Sequence, residues 1–156
     1  SGGFREIIYA NNIWVVVGDI KTSGQDTGDM VSTTDLAVWS RNNISYSSTA
    51  PYFHGVAYGN GVFVAVGCSG GCSHINESST GEVYTSENGI NWTKRDHGTS
   101  QKFLDVTFAN NKFVAVGGKG SNSGIILTSQ DGINWTTITT TLTDRIWGIT
   151  GSDGGS

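Results

Sequence analysis

The sequence predicts an all-β fold of β-propeller blades: three four-stranded antiparallel units and the first strand of a fourth. Three observations lead there. A pattern of about 50 residues recurs three times along the 156-residue chain. Its apolar residues fall in short runs rich in Val, Ile and aromatics, which suit a pleated, buried surface. The composition has 23 Gly, one Pro and only 14% charged residues, as many short strands joined by tight turns require.

The first half of each unit carries the first two strands. It reads Phe4 to Gly18, then Phe53 to Gly67, then Phe103 to Gly117, and each copy ends in Val-Val-Val-Gly or Val-Ala-Val-Gly. In the third unit Phe103, Val106 and Phe108 belong to the first strand. Asn110-Asn111 is a tight turn, because Asn tolerates positive φ; the second unit has Asn60-Gly61 there. Phe113 to Val116 is an apolar run closed by Gly117, as a strand buried on both faces should be. A polar loop follows. The second half supplies a third strand over 125–129, a turn over 130–134 and a fourth strand over 135–139. After the third unit, Arg145 to Thr150 repeats Lys102 to Thr107, so a fourth unit begins. The expected bounds are about 4–41, 53–95 and 103–139, with an extra strand over 145–150. One blade cannot bury both its faces and needs a neighbour on each side.

The turn in the second half carries the motif Ser129, Asp131, Gly132 and Trp135 in the third unit, and Ser86, Asn88, Gly89 and Trp92 in the second. The first unit keeps Thr33, Asp35 and Trp39, with Ala37 near the Gly position. The pattern Ser-x-Asp-Gly-x-x-Trp resembles the Asp-box (BNR) repeat of sialidases, sortilin-type receptors, photosystem II assembly factors and many secreted bacterial propellers. With the Tyr-Gly-Asn-Gly-x-Phe-Val-Ala-Val-Gly run it is similar to tandem repeats of secreted or surface bacterial proteins. The resemblance implies a structural turn: the Asp accepts backbone N–H groups, Gly takes the strained position and Trp packs into the blade.

Several function classes are excluded. The net charge is −4 and the nine basic residues are scattered, so the concentrated Lys/Arg stripe that nucleic acid needs is missing. The longest apolar run falls far short of the roughly 20 residues of a membrane-spanning helix. Cofactors are expected to be none. The Gly/Ser ends, Ser1 to Gly3 and Gly154 to Ser156, read as linker or cut points of a processed, excised or engineered piece.

Candidate chemistry is sparse. Cys68 and Cys72 stand in Cys-Ser-Gly-Gly-Cys. They read as a local disulfide, which points to an oxidising compartment, or as two free thiols. Zinc is not expected, since two ligands are too few and only His74 is adjacent. Asp19, Asp26 and Asp29 share one Gly-rich loop and are weak candidates for calcium, against solvated loop acids. His54, His74 and His97 lie in separate segments and read as ordinary polar residues. A retaining glycosidase needs two carboxyl groups about 5 Å apart, and sialidases use Tyr with an Arg cluster. Arg5, Arg41, Arg95 and Arg145 come from different strand positions, so no cluster is implied, and the chain is not expected to be an enzyme. Asn43, Asn76, Asn91 and Asn134 head Asn-x-Ser/Thr sequons, two of them within the repeat.

Three blades do not close a ring, since propellers use about 4–8. Self-association, a longer parent chain and a fibre each resolve this; the first, with about six blades from two chains, is preferred. The expected function is a non-catalytic module, extracellular or at the cell surface, for binding a glycan or protein or for self-assembly. The alternatives are a fragment of a glycan-processing propeller and an excised or designed fragment without activity. A pair of convergent carboxylates beside an Arg cluster in the ring's central pocket would favour the glycan-processing reading.

Overall fold

The computed structural model describes residues 3–22, 25–44, 50–70, 72, 79–119 and 124–151. Side chains at 20–29 and at 43 lie outside that description, although their strands are placed. Among the described residues there is no helix.

Among the described residues, thirteen strands form three sheets, one per repeat. The first contains β1 (Gly3–Ala10), β2 (Ile13–Thr22), β3 (Gln25–Thr33) and β4 (Ser40–Arg41) in that spatial order. The second contains β6 (Tyr52–Gly59), β7 (Val62–Ser69), β8 (Thr80–Ser86) and β9 (Asn91–Arg95), and β5 (Asn43–Ile44) lies parallel along the outer edge of β9. The third contains β10 (Phe103–Ala109), β11 (Lys112–Gly118), β12 (Gly124–Ser129) and β13 (Thr136–Ile138). Each is a meander in which neighbours in sequence pair antiparallel.

The hairpins joining the first two strands turn where the sequence places Asn. Asn11, Asn12, Asn60, Asn110 and Asn111 all have positive φ, between 48° and 60°. The Gly that ends each second strand has a different reason. A Cβ at Gly18, Gly67 or Gly117 would collide with the backbone at the start of the first strand, at Gly3, Tyr52 or Lys102 respectively. The first strand bulges there in all three blades, between Phe4 and Glu6, Phe53 and Gly55, and Phe103 and Asp105.

The blades stack face to face through two cores. Ile13, Val15, Val17 and Met30 of the first blade meet Phe53, Phe63, Ala65, Tyr84 and Trp92 of the second. Val64, Val66 and Val83 on the opposite face of the second blade meet Phe103, Phe113, Ala115 and Leu127 of the third. β7 is therefore apolar at every step from Phe63 to Val66, because its two faces serve two different interfaces.

Two expectations change. The stretch from Gly18 to Asp29 is not an irregular loop: β2 and β3 continue as a ladder, with Gly18 opposite Asp29, Asp19 opposite Gly28 and Lys21 opposite Asp26. The segment over 145–150 forms no ladder among the described residues, although it lies where a fourth blade's inner strand belongs. It is tied down by the Ile146 N–H to the Gly117 carbonyl (3.2 Å) and the Ile149 N–H to Asp105 Oδ2 (2.8 Å).

Candidate functional site

Antiparallel pairing brings the starts of β1, β6 and β10 and the ends of β2, β7 and β11 to one rim of the stacked blades. Gly3 pairs with Asp19, Tyr52 with Cys68 and Phe103 with Gly117. Most of the polar and titratable groups of interest sit on this rim.

Just past each bulge the repeat places Glu6, Gly55, Asp105 and, in the trailing segment, Gly148. Glu6 Oε2 accepts the Val56 N–H at 2.6 Å. Asp105 Oδ1 accepts its neighbour's N–H, from Val106, at 2.8 Å, and Oδ2 accepts that of Ile149 at 2.8 Å. Each acid thus bonds the residue one step past the bulge position in the next unit. Gly55 stands between the two acids. A Cβ there would lie 2.9 Å from both Asp105 Oδ1 and the Val106 nitrogen, so the missing side chain leaves room for the close approach of β10. Burial raises the Glu6 carboxyl above its ordinary value; the Val56 hydrogen bond opposes this and the charge of Asp105 reinforces it. A cleft of about 240 Å³ opens here, with Glu6, Tyr58, Thr107, Phe108 and Thr150 on its walls. A larger cleft of about 780 Å³ covers the outer face of the first blade, lined by Phe4, Ile7, Val16, Val31 and Trp39 with Glu6 at its edge.

On the same rim Arg5 Nε pairs with Asp19 Oδ1 at 3.1 Å. His54, the bulged residue of β6, sets Nε2 3.5 Å from Cys68 Sγ. Cys68 is disulfide-bonded to Cys72, with Cα atoms 5.8 Å apart. His54 is pushed down to about 4, mainly by burial, with Arg5 adding to the effect and Asp19 opposing it. It is therefore a neutral imidazole at neutral pH. His97 instead packs edge-on against Phe103 and bonds the Gly81 carbonyl at 3.0 Å, a place inside the blade. His74 and Asn76 lie outside the described residues, as do the side chains of Asp26, Asp29 and Asn43.

The turn motif forms one hydrogen-bond pattern three times. Ser129 Oγ accepts the Gly132 N–H (2.8 Å), and Asp131 Oδ1 accepts those of Ile133 and Asn134 (2.8 Å each). Ser86 and Asn88 repeat this toward Gly89, Ile90 and Asn91. Thr33 and Asp35 repeat it toward Leu36, Ala37 and Val38. The residue at the Gly position in the first unit is thus Leu36, with φ 61°, and not Ala37. The backbone N–H groups hold both Asp35 and Asp131 below the ordinary carboxylate range. Trp92 is buried between blades, Trp135 Nε1 donates to the Gly132 carbonyl, and Trp39 lies exposed on the outer face of the first blade.

No protein-family model matches this chain, and no curated protein matches its sequence. Solved structures do match. A GH32 β-fructofuranosidase of Bombyx mori superposes with a TM-score of 0.58 at 14% identity, covering 87% of this chain and 34% of that one. A glycosyl hydrolase of Bacteroides ovatus gives 0.53 at 16% identity, over 92% of this chain and 49% of that one. An exo-inulinase of Aspergillus awamori gives 0.52 at 13%, over 87% and 36%. The chain folds as β-propeller blades. It spans about a third to a half of the length of these structures.

The expectation of a non-enzyme is corrected by this comparison: the structures that share the blades are glycoside hydrolases. The sequence reading asked for paired carboxylates beside an Arg cluster and did not single out Glu6 and Asp105, which lie two repeats apart and look like isolated acids within strands. The signal that finds them is repeat position. Each is the residue after the bulge, where the repeat aims a side chain at the inner edge. Zinc was not expected because only His74 is adjacent to the cysteines in sequence; the structure brings His54, from the neighbouring strand, beside Cys68.

Proposed function

We propose that the chain forms three blades of a glycan-processing propeller, with Glu6 and Asp105 as its pair of carboxyl groups. The observation that carries this reading is the place of the two acids about Gly55 and Val56: Glu6 Oε2 accepts the Val56 N–H, and Asp105 Oδ1 lies 2.9 Å from where a Gly55 Cβ would stand. The shared fold with glycoside hydrolases supports it. Glycoside hydrolysis needs one carboxyl that holds a proton for the leaving oxygen and one that offers negative charge on the other side of the bond. Glu6 suits the first role, since burial and the charge of Asp105 both favour its protonated form. Asp105 suits the second, since two backbone N–H groups fix its orientation. The disulfide suits an oxidising compartment. Reducing-sugar release from sucrose, inulin and aryl glycosides tests the reading. Turnover that falls a hundredfold or more in both Glu6→Gln and Asp105→Asn is the expected result. No turnover by the parent chain, or turnover indifferent to both changes, overturns it.

The exposed face of the first blade supports a second reading, self-association. Phe4 and Ile7 are more than half exposed there, whereas the equivalent Phe53 and Phe103 are fully buried against a preceding blade. A second copy would cover this face with its own third blade. The trailing segment then competes with the incoming β1, because Asp105 holds Ile149 as Glu6 holds Val56. Truncation before residue 145 is expected to raise the solution mass measured by light scattering. A monomer in both forms, unchanged by dilution, refutes the association.

A further inference from the structure

We propose that when Cys68 and Cys72 are reduced, their sulfurs and His54 Nε2 hold a zinc ion. The three donor atoms lie within 4.8 Å of one another although the residues come from two strands and a loop. Zinc binds thiolate at about 2.3 Å and imidazole at about 2.0–2.1 Å, so an N···S edge of a tetrahedral site measures about 3.5 Å. The His54 Nε2 to Cys68 Sγ distance is 3.5 Å. The S···S edge of the same tetrahedron is about 3.8 Å, a separation that opening the disulfide permits. Cys72 lies outside the strands, whereas Cys68 is fully buried on β7. A water molecule completes the four positions. Three protein ligands leave the site open in the manner of reactive rather than structural zinc.

Supporting chemistry surrounds the cluster. Asp19, whose negative charge acts on His54, lies on the same rim and favours a cation, while Arg5, paired to Asp19, opposes it. The step balances as follows. A dithiol reductant gives two electrons and two protons to the Cys68–Cys72 bond, leaving as its own disulfide. Zinc then displaces the two thiol protons and binds the thiolates. The site is therefore a redox switch, with the disulfide and the zinc complex as alternative states.

The full chain tests this directly. It is reduced with a phosphine, which does not compete for zinc as a dithiol does. Zinc affinity is read against a chromophoric chelator, and cobalt(II) is added separately to report thiolate charge-transfer absorption. The reduced chain is expected to bind one equivalent of zinc. The oxidised chain, an internal control with the same fold, is expected to bind at least a hundredfold more weakly. His54→Gln should lose tenfold or more in the reduced state, and Cys72→Ser, which keeps one thiolate, should weaken the cobalt–thiolate band while keeping its far-ultraviolet circular dichroism. Equal zinc binding by reduced and oxidised chain overturns the proposal. So does an unchanged affinity in a folded His54→Gln.

Discussion

Leu36 offers a sharp test of how the repeat stores strain. It occupies the position held by Gly89 and Gly132 in the other two turns, and all three have a left-handed φ, at 61°, 72° and 72°. For a residue with a Cβ that conformation costs roughly 1–2 kcal/mol. Glycine avoids the cost but adds about 0.5–1 kcal/mol of chain entropy to the unfolded state. Leu36 is 53% exposed, so little burial is lost when its side chain goes. Leu36→Gly should therefore stabilise the chain by about 0.5 kcal/mol, a rise in Tm of roughly 1–2 °C at this size. The reverse change is harsher. In Gly132→Ala the new Cβ adopts the same strained φ and also stands 2.7 Å from Val64 Cγ2 in the core between the second and third blades. That should destabilise by about 2 kcal/mol or more. Leu36→Ala separates the causes, since it keeps the Cβ while shedding the exposed side chain, and should be close to neutral. Urea unfolding followed by tryptophan fluorescence reads all three, with Trp39, Trp92 and Trp135 next to the turns. A loss of stability in Leu36→Gly, or a neutral Gly132→Ala, would refute the argument that φ and close approach govern this position.

Three further outcomes are expected. Glu6 is held above its ordinary value, so its contribution favours folding at acid pH and is lost as pH rises through the folded value. Glu6→Gln, which keeps an acceptor for Val56, should raise Tm at pH 7 with the gain closing toward pH 4, measured by scanning calorimetry. His54, pushed down to about 4 in the folded chain, should bring a loss of stability as pH falls from about 6.5 toward 4. The full shift corresponds to about 3 kcal/mol, and denaturant titrations of His54→Gln should show a flatter profile in that window. Gly67→Ala would press a Cβ into the Tyr52 carbonyl and should cost several kcal/mol or prevent folding, whereas Ala at exposed Gly61, where nothing lies near, should cost about 1 kcal/mol for its φ alone.

Most of the fold is legible in the chain because it depends on local periodicity. The spacing of Phe, Val and Gly within each unit fixes strand positions, and Asn or Gly in the hairpins fixes turn conformation, each through contacts a few residues apart. The third blade matches closely: strands expected over 125–129 and 135–139 are found at Gly124–Ser129 and Thr136–Ile138. The hairpin extension from Gly18 to Asp29 was missed because its Gly, Ser and Asp residues carry no strand signal, and pairing with a partner overrides propensity.

The sequence by itself determined the repeat, the meander within each unit, the turns and the alternation that gives β7 two buried faces. Only the tertiary structure decided what meets at the rim. Glu6 and Asp105 belong to different blades, and both approach β6: Glu6 bonds the Val56 N–H, and Gly55, with no side chain, leaves room for Asp105. His54 reaches Cys68 because a bulge redirects it toward the end of the neighbouring strand. Such contacts depend on how blades stack and where strands bulge. Those are long-range features, set by the packing of whole faces rather than by any residue's neighbours along the chain.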